Sequence, residues 1–256
     1  MLSVVATPIG NLGDITLRAI ETLKRCDAVV CEDTRVTGNL LKQLGIGACH
    51  VEPFDKLRTS SVKMRHACPP FDSAQGDTLK KEFISFHGYS DEGKLHHIME
   101  RLQRGEHLAL VSDAGTPGIS DPGFALISKA REAGIKIEAI PGPSAFLAAL
   151  SISGLPINHF VYLGFLPLKK GRKTLLESFN NEERTIVFYE SVHRIEKTLN
   201  ELAHVLKEQP ERKVVIAREL TKMHEETIST TIRDLAAAAG AVTKKGEFVV
   251  IVGARH

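Results

Sequence analysis

The sequence predicts an α/β protein of two domains, and three observations lead to this fold class. Short apolar runs alternate with amphipathic stretches, which is typical of parallel strands joined by crossover helices. The chain has 256 residues, 43% hydrophobic and 25% charged, which is enough apolar surface for a sizeable core. The rhythm of the elements changes after the turn at residues 140–143. We therefore divide the chain into domains 1–141 and 142–256.

The first domain is predicted to contain five strands and four helices. A helix capped by Asp14 follows the first strand, and a helix capped by Thr37 follows the second. A third helix covers residues 91–104, and a fourth is opened by Asp121 and Pro122, because proline suits the first helical turn. The predicted strands, each an apolar run, are 2–6, 28–31, 82–87, 108–112 and 136–140.

An irregular insertion is predicted at residues 48–81, inside this first domain. The segment has no sustained apolar period, and the tripeptide Pro-Phe-Asp occurs in it twice, at 53–55 and 70–72. A connection of this length is uncommon inside a compact domain. We interpret it as a surface loop that adds little to stability or catalysis.

The second domain is predicted to hold a mixed, partly antiparallel sheet. Little more than one helix separates its last two strands, which leaves less room for a parallel crossover. Helices are expected near Leu175, Ile195 and Leu235. The predicted strands are 160–165, 185–189, 213–217, 226–231 and 248–252.

Composition excludes several classes of protein. A net charge of +2, from 33 Lys+Arg and 31 Asp+Glu, excludes a histone-like electrostatic binder. With no Trp and 3 Tyr, an aromatic stacking platform for single strands is not expected. The 4 cysteines form no C-x-x-C pair, which predicts reduced thiols. Without a basic leader or an 18-residue apolar run, we expect a cytoplasmic protein with no membrane span.

Three loops rich in glycine and proline follow predicted strands, where ligands of α/β sheets bind. They read ATPIGN at residues 6–11, SDAGTPGISDP at 112–122 and PGPSA at 141–145. None matches G-x-G-x-x-G or the P-loop pattern, so neither a classical dinucleotide site nor a P-loop is predicted. Taken singly, each loop is equally compatible with a tight connection.

An acidic and basic cluster follows the second strand. Glu32, Asp33 and Arg35 could orient a ribose hydroxyl, accept a proton or hold a phosphate. The alternative is a local ion pair together with a helix cap. Polar residues at two later strand ends are second candidates for acid or base chemistry, and of these His193 could equally cap a helix: Glu190, His193, Arg218 and Glu219.

A basic cluster lies near the start of the second domain. Lys169, Lys170, Arg172 and Lys173 place four positive charges in five residues, which can neutralise phosphates. Such a run is also compatible with a solvated face. The cluster stands out because the chain as a whole is nearly neutral.

Eight sequence blocks together carry a family resemblance. The chain resembles the small-subunit ribosomal RNA methyltransferases of the tetrapyrrole-methylase (class III) superfamily, over nearly all of residues 1–47 and 83–253. In order, the blocks are VATPIGNLGDITLRAIETL, CEDTR, LVSDAGTPGISDPG, IPGPSAFLAAL, GFLP, IVFYESVHRI, ARELTK and GEFVVIVG.

The resemblance implies a fold and a reaction. The fold would be tetrapyrrole-methylase-like, with a largely parallel five-stranded sheet, a mixed second sheet and S-adenosylmethionine in the cleft between the domains. The reaction would be methylation of a cytidine ribose 2′-hydroxyl in the decoding region of 16S ribosomal RNA, by a homodimer, with no metal activating the methyl group. The partner would be this RNA or the assembled small subunit. The residues implied at the cofactor are Pro8, Asp113, Gly115, Thr116, Ile119, Ser144, Ala145, Tyr189 and Ala217.

For the transfer step, Glu32, Asp33 and Arg35 are the candidates for accepting the proton and orienting the ribose or phosphate. Asp33 is expected to be needed for methyl transfer but not for cofactor binding. The lysines and arginine at 169–173 are the candidates for RNA contact.

The chain departs from the family pattern at residues 87–92. It reads HGYSDE there, where the family has a His-Glu-His-Asn-Glu type segment, so no role of that Asn is transferred. Two other functions stay open: C-methylation of a tetrapyrrole, and non-catalytic RNA binding in ribosome assembly. The basic cluster and the CEDTR block favour RNA over a tetrapyrrole, and the intact glycine loops favour a cofactor-binding enzyme.

Overall fold

The computed structural model describes residues 1–47, 81–87 and 92–255. They form two compact units, Met1–Pro8 with Leu12–Pro143, and Ile9–Asn11 with Ser144–His256. The structure thus differs from the expected division in assigning Ile9–Asn11 to the second unit. Apart from Lys81, the expected insertion at 48–81 lies outside the described residues, as does most of segment 87–92. None of the described helices is long and apolar enough to cross a bilayer.

The first unit contains the predicted parallel sheet. Its described strands run in the order β3-β2-β4-β1-β5, and every neighbouring pair is parallel. Three strands end one or two residues earlier than predicted. The strands are β1 (Leu2–Val5), β2 (Ala28–Cys31), β3 (Glu82–Ser85), β4 (Leu108–Leu110) and β5 (Ile137–Ile140), and the helices are α1 (Leu17–Arg25), α2 (Thr34–Gln43), α3 (Glu92–Gln103) and α4 (Gly123–Glu132).

Helices cover both faces of this sheet, which is why β2 and β4 are apolar throughout rather than alternating. On one face, α1 and α2 pack Ala19, Leu23 and Leu41 against β2 and β4. On the other face, α3 and α4 pack a second set against the same strands: Ile98, Leu102, Leu126 and Ala130. The two clusters hold the strands in place.

Two helix caps differ from the prediction. Thr16, rather than Asp14, caps α1, and its hydroxyl accepts the Ala19 N–H at 3.1 Å. Asp33, rather than Thr37, caps α2, and Thr37 lies buried inside that helix. Ser, Thr, Asp and Asn all cap helices well, so the local sequence does not choose between neighbouring candidates. Packing of the helix on the sheet decides where its first turn begins.

The second unit contains a mixed sheet, as predicted. Its described strands run in the order β6-β7-β10-β8-β9; β6 and β7 are parallel, and all other neighbours are antiparallel. The strands are β6 (Phe160–Phe165), β7 (Thr185–Ser191), β8 (Lys213–Arg218), β9 (Glu226–Thr231) and β10 (Glu247–Val252), and the helices are α5 (Ala145–Ile152), α6 (Arg172–Ser178), α7 (Ile195–Val205) and α8 (Leu235–Ala241).

Helix α5 is the element that the sequence analysis does not predict. Its sequence, AFLAALSI, is short and nearly all apolar, so helical periodicity cannot be distinguished from a buried strand. In the structure, Ala149 and Leu150 of α5 belong to the cluster on one face of the second sheet. The opposite face is covered by α6, α7 and α8, which include Leu176, Leu199 and Leu235.

Candidate functional site

Four loops that carry polar residues meet at one edge of the first sheet. β2, β4, β1 and β5 are neighbours and parallel, so their carboxyl ends lie side by side. The loop after β1 holds Thr7 and Pro8, and the loop after β2 holds Glu32 and Asp33. Residues 111–122 follow β4, and residues 141–143 follow β5. This edge is the candidate functional site of the first unit.

The loop after β4 is tied to the loop after β1. The Thr7 N–H donates to the Gly115 carbonyl at 2.9 Å, and the Gly115 N–H donates to the Thr7 carbonyl at 3.1 Å. The buried Thr7 hydroxyl donates to the Ser112 carbonyl at 3.1 Å. Gly115 has a φ of 84°, which favours glycine at this bridge. The glycine in this block therefore has a structural reason.

The next turn is organised by the Asp121 carboxylate. It accepts the N–H groups of Gly118 and Gly123, both at 2.8 Å. Pro122 occupies the cap position of α4 rather than its first turn, which corrects the predicted helix start. The Thr116 hydroxyl donates to the Pro143 carbonyl at 3.1 Å and so connects the loops after β4 and β5.

Five residues expected at the cofactor lie on this edge. Asp113 and Ile119 are exposed, Pro8 and Thr116 are half-buried, and Gly115 is buried. The Asp113 carboxylate accepts the Asp33 N–H at 3.2 Å, which joins the loops after β2 and β4. An exposed carboxylate beside backbone amides and carbonyls is a donor and acceptor set that suits hydroxyl and ammonium groups. The chemistry of these residues therefore fits a nucleoside cofactor with an amino acid tail.

Glu32 is the carboxylate best suited to accept a proton near neutral pH. Burial raises its pKa to about 7, and the negative charges of Asp121 and Asp113 act in the same direction. A base with a pKa near the working pH is the most effective. Asp121 was predicted to lie in the loop at 112–122 and to open a helix, but its effect on Glu32 was not predicted; the signal was its position after the strand next to β2. In the described part of the chain, no group of three His, Cys, Asp or Glu residues could hold a metal ion.

Asp33 has a different environment from its neighbour. One oxygen accepts the Arg35 backbone N–H at 2.8 Å, and the two oxygens pair with the Arg35 guanidinium at 3.1 Å and 2.7 Å. These hydrogen bonds lower the pKa of Asp33 to about 2. A carboxylate so strongly stabilised in its charged form is a weak base. Asp33 and Arg35 thus form the ion pair and helix cap that the sequence left as the alternative, and the Arg35 side chain stays 80% exposed.

A second group of expected cofactor residues lies in the second unit, around Tyr189. The Phe146 N–H donates to the Tyr189 hydroxyl at 3.3 Å, at the first turn of α5. Ser144 occupies the cap position of α5 without a side-chain cap bond, and Ala145 follows it. Burial raises the pKa of the Tyr189 phenol. Ala217 is buried in β8 and belongs to the same apolar cluster as Tyr189 and Ala145.

The basic segment at 169–173 contains one residue that does not face solvent. The Arg172 guanidinium donates to Glu201 at 2.9 Å, to the Thr198 hydroxyl at 2.6 Å and to the Pro167 carbonyl at 3.2 Å. Its side chain is only 8% exposed. The expectation that Arg172 contacts RNA is therefore corrected: Arg172 holds the loop. The neighbouring Lys169, Lys170 and Lys173 are exposed.

Glu190 is the buried carboxylate that organises this loop. It accepts the Ser191 N–H at 2.8 Å and the Thr198 hydroxyl at 2.7 Å. It also pairs with Arg194 at 2.8 Å and with Arg172 at 3.8 Å. Arg194 in turn donates to the Leu166 carbonyl at 2.9 Å. Glu190 thus has a structural role. This corrects the prediction that it is a second candidate for acid or base chemistry.

The other second candidates have mixed surroundings. His193 is exposed, two residues after the end of β7. Arg218 pairs with Glu226 at 2.9 Å. Glu219 pairs with Lys222 at 2.9 Å, and its backbone has a φ of 51°, which is uncommon for a residue with a side chain. Only His193 remains on an open surface without an acidic partner in the described residues.

Comparison with known proteins identifies the family. Residues 1–236 match the tetrapyrrole (corrin/porphyrin) methylases. The chain belongs to the tetrapyrrole methylase family. Within it, the chain is 42% identical to the ribosomal RNA small subunit methyltransferase I of Haemophilus influenzae, over 98% of this chain and 78% of that protein. It is 35% identical to the protein of the same name from Thermotoga maritima, over 100% of this chain and 99% of that one.

Solved structures agree with this assignment at the level of the fold. A uroporphyrin-III C-methyltransferase from Thermus thermophilus, solved with S-adenyl homocysteine, superposes with a TM-score of 0.59 over 98% of this chain and 96% of that one. The two sequences are 17% identical, so the likeness concerns the fold alone. The predicted tetrapyrrole-methylase fold of two α/β domains, one parallel and one mixed, is confirmed.

The structure predicts that Asp33 contributes to stability through its cap. Replacing it with alanine removes the cap of α2 and the partner of Arg35, so Asp33→Ala should lose about 1 kcal/mol of unfolding free energy at pH 7. Asp33→Asn keeps the capping oxygen and should lose less. Because the pKa of Asp33 is lowered, its charge stabilises the fold above pH 4, and this contribution fades as pH falls towards 2. Urea unfolding of both variants at pH 7 and pH 3 measures this, and equal stability of Asp33→Ala and wild type at pH 7 would contradict it.

Proposed function

We propose that this chain transfers a methyl group from S-adenosylmethionine to a ribose 2′-hydroxyl of small-subunit ribosomal RNA. We further propose that this hydroxyl belongs to a cytidine in the decoding region of 16S ribosomal RNA. This finer proposal is based on the family resemblance that the eight sequence blocks carry. Its support is the family assignment and relatives of 42% and 35% identity named ribosomal RNA small subunit methyltransferase I. The observation that carries the reaction type is Glu32, a carboxylate with a pKa of about 7 at the candidate site.

S-adenosylmethionine is the proposed cofactor because the residues at both groups of loops suit it. When bound, the cofactor supplies an electrophilic methyl group on a sulfonium. In the first unit, we assign its recognition to Pro8, Asp113, Gly115, Thr116 and Ile119. In the second unit, we assign it to Ser144, Ala145, Tyr189 and Ala217. Asp113 and the backbone groups beside it provide acceptors for hydroxyl and ammonium groups, and Ile119 provides an exposed apolar surface.

The ribose hydroxyl is a weak nucleophile, so the protein must orient it and accept its proton. We assign proton acceptance to the Glu32 carboxylate, because it is deprotonated in part at neutral pH and still basic. We assign Arg35 to a phosphate or ribose oxygen of the RNA, since its side chain is exposed and Asp33 holds it in place. The proposed role of Asp33 is therefore to orient Arg35. We assign the role essential for methyl transfer to Glu32, where the sequence alone had suggested Asp33.

We propose a cytoplasmic homodimer, because ribosomal subunits are found there and because the second unit exposes apolar side chains on neighbouring elements. Leu147 and Ile152 of α5 are 50% and 52% exposed, and Phe165 at the end of edge strand β6 is 54% exposed. The ring centroids of Phe146 in α5 and Phe160 in β6 are 6.3 Å apart, so these two elements are adjacent. Apolar side chains grouped on a surface mark association sites.

Sedimentation velocity of the protein should give twice the mass of the chain. Leu147→Glu should shift the measured mass towards that of the monomer.

The function is tested by mapping ribose methylation in cells with and without this gene. The expected result is one missing 2′-O-methyl group on a cytidine in the decoding region of 16S ribosomal RNA. In vitro, the purified protein should transfer labelled methyl from S-adenosylmethionine to small ribosomal subunits and not to uroporphyrinogen. Transfer to uroporphyrinogen alone would support the tetrapyrrole alternative. Absence of calorimetric S-adenosylmethionine binding would instead support a non-catalytic assembly protein.

The role of Glu32 predicts a specific pH dependence. Because the carboxylate must be deprotonated to accept the proton, the wild-type rate should rise as pH increases through about 7. Glu32→Gln should lower the methyl-transfer rate by about 10²–10⁴-fold and lose this inflection, with cofactor affinity unchanged by calorimetry.

The matched control for this test is Asp33→Asn, which changes the adjacent carboxylate and keeps its capping oxygen. It should keep the inflection near pH 7 even if RNA binding weakens. An inflection that survives in Glu32→Gln and disappears in Asp33→Asn would assign the proton to the other carboxylate and overturn the role proposed for Glu32.

A further inference from the structure

A cavity of about 520 Å³ lies at one edge of the second sheet, and none of the expected cofactor residues lines it. It is formed by the residues after β7, the first turn of α7 and the turn before β10. Its charged and titratable lining residues are His193, Glu196, Lys197, Lys244 and Lys245. We call this the basic cavity.

The lining of the basic cavity carries more positive than negative charge. Lys197, Lys244 and Lys245 face a single acidic lining residue, Glu196, which is held by Lys244 at 2.5 Å. The ammonium of the exposed Lys197 lies 3.7 Å from the Glu201 carboxylate, which is a long ion pair. In the part of the chain that the structure describes, the Lys245 ammonium has no acidic partner. Of the three lysines, Lys245 is therefore the one whose charge no carboxylate in the described residues neutralises.

The acidic residues nearest to this turn are occupied elsewhere. The Lys222 ammonium pairs with both Glu219 and Glu247, at 2.9 Å each. The Glu219 carboxylate also accepts the Glu247 N–H at 3.0 Å. These bonds lower the pKa of Glu219 and keep its carboxylate charged. The positive charge of Lys222 balances part of this negative charge. The two carboxylates are therefore directed towards Lys222.

The turn that presents Lys244 and Lys245 is well defined. Gly246 has a φ of 88°, and a Cβ at this position would lie 2.4 Å from the Glu219 side chain, so only glycine fits. The Arg218 guanidinium donates to the Lys245 carbonyl at 3.4 Å. These contacts hold the backbone of the turn, while the lysine side chains stay exposed.

The basic cavity and the lysines at 169–173 lie on the same edge of the sheet. β6 and β7 are parallel, and β10 runs antiparallel to β7, so the ends of β6 and β7 and the start of β10 lie side by side. The Arg194 bond to the Leu166 carbonyl joins the first two of these loops at 2.9 Å. Since β6 and β10 are two strands apart, the loops are separated by about 10 Å.

We propose that the basic cavity binds a backbone phosphate of the RNA substrate, as part of one cationic edge with Lys169, Lys170 and Lys173. This inference rests on the function proposed above. Lysine ammonium groups act as point charges for phosphate oxygens. The described lining holds no Phe, Tyr or Trp, and His193 is its one aromatic ring, so lysine charge rather than a stacking platform dominates the cavity. The ligand is therefore the sugar-phosphate backbone, contacted without regard to sequence.

The test compares Lys245→Gln with the control Lys207→Gln. Both remove one exposed lysine charge, but Lys207 lies just past the other end of α7 and outside the cavity. Binding of a fluorescently labelled decoding-region RNA hairpin is measured from 0.05 to 0.3 M salt, and methyl transfer is measured with small ribosomal subunits. Lys245→Gln should weaken RNA binding about 5-fold and reduce the slope of log affinity against log salt by about 0.7–0.9. The KM for subunits should rise, with kcat and S-adenosylmethionine affinity unchanged.

The double variant Lys197→Gln with Lys245→Gln should weaken binding by at least 10-fold and reduce the slope further. Unchanged RNA affinity and slope in this double variant would overturn the proposal. An equal loss in Lys207→Gln would also overturn it, because the effect would then follow net charge and not the cavity. So would Lys245-dependent binding of polyglutamate with no change in RNA binding, which would indicate an acidic protein partner.

Failure of this inference is distinguishable from failure of the proposed function. If the wild-type protein methylates ribosomal RNA and the lysine variants behave like wild type, only the cavity proposal is wrong. If the wild-type protein does not methylate ribosomal RNA, the proposed function is wrong, and the hairpin titration still decides whether the cavity binds RNA.

Discussion

The constraint on which the candidate site depends is the common direction of four neighbouring strands. A parallel strand must be followed by a crossover that returns the chain to the starting edge, so every loop after β1, β2, β4 and β5 begins at the same edge. Residues separated by about a hundred positions in sequence, such as Thr7 and Gly115, are hydrogen-bonded there. The helices on both faces bury β2 and β4 completely, and polar groups gather where these strands end.

At that edge, two adjacent carboxylates acquire opposite properties. Glu32 is partly buried near two other acids, which favours its neutral form and raises its pKa to about 7. Asp33 caps a helix and pairs with Arg35, which favours its charged form and lowers its pKa to about 2. The same chemical group is thus suited to proton transfer at one position and to structure at the next. Separation of roles between neighbouring carboxylates is a common feature of acid-base sites.

In the second unit, a single buried carboxylate has a comparable organising effect. Glu190 is nearly inaccessible, and its oxygens are satisfied by Arg172, Arg194, Thr198 and the Ser191 backbone. Through the two arginines it holds the carbonyls of Leu166 and Pro167, and so the loop that begins the lysine segment. Removing one member of a buried pair typically costs about 3–5 kcal/mol, because the remaining charge is left without a partner. The exposed lysines can therefore lie on a loop and still be presented in a defined position.

Much of the fold followed from the sequence by itself. Apolar runs alternating with amphipathic stretches predicted the five strands of each sheet, the parallel first sheet and the mixed second one, since hydropathy and its periodicity are local properties of the chain. The family resemblance rested on eight blocks in order, and the family is confirmed. Helix α5 was not predicted, because eight nearly uniformly apolar residues carry no period.

Only the tertiary structure decided what individual charged residues do. Sequence grouped Glu32 with Asp33, and Arg172 with three lysines, because charge and spacing are all that it shows. Burial and partners from distant segments separate them: Asp113 and Asp121 act on Glu32, and Glu190 and Glu201 hold Arg172 inside. The basic cavity likewise joins residues about fifty positions apart, at 193–197 and 244–246. The protonation and exposure of a side chain depend on solvent exclusion and on charges brought close by folding, and neither is a property of the local sequence.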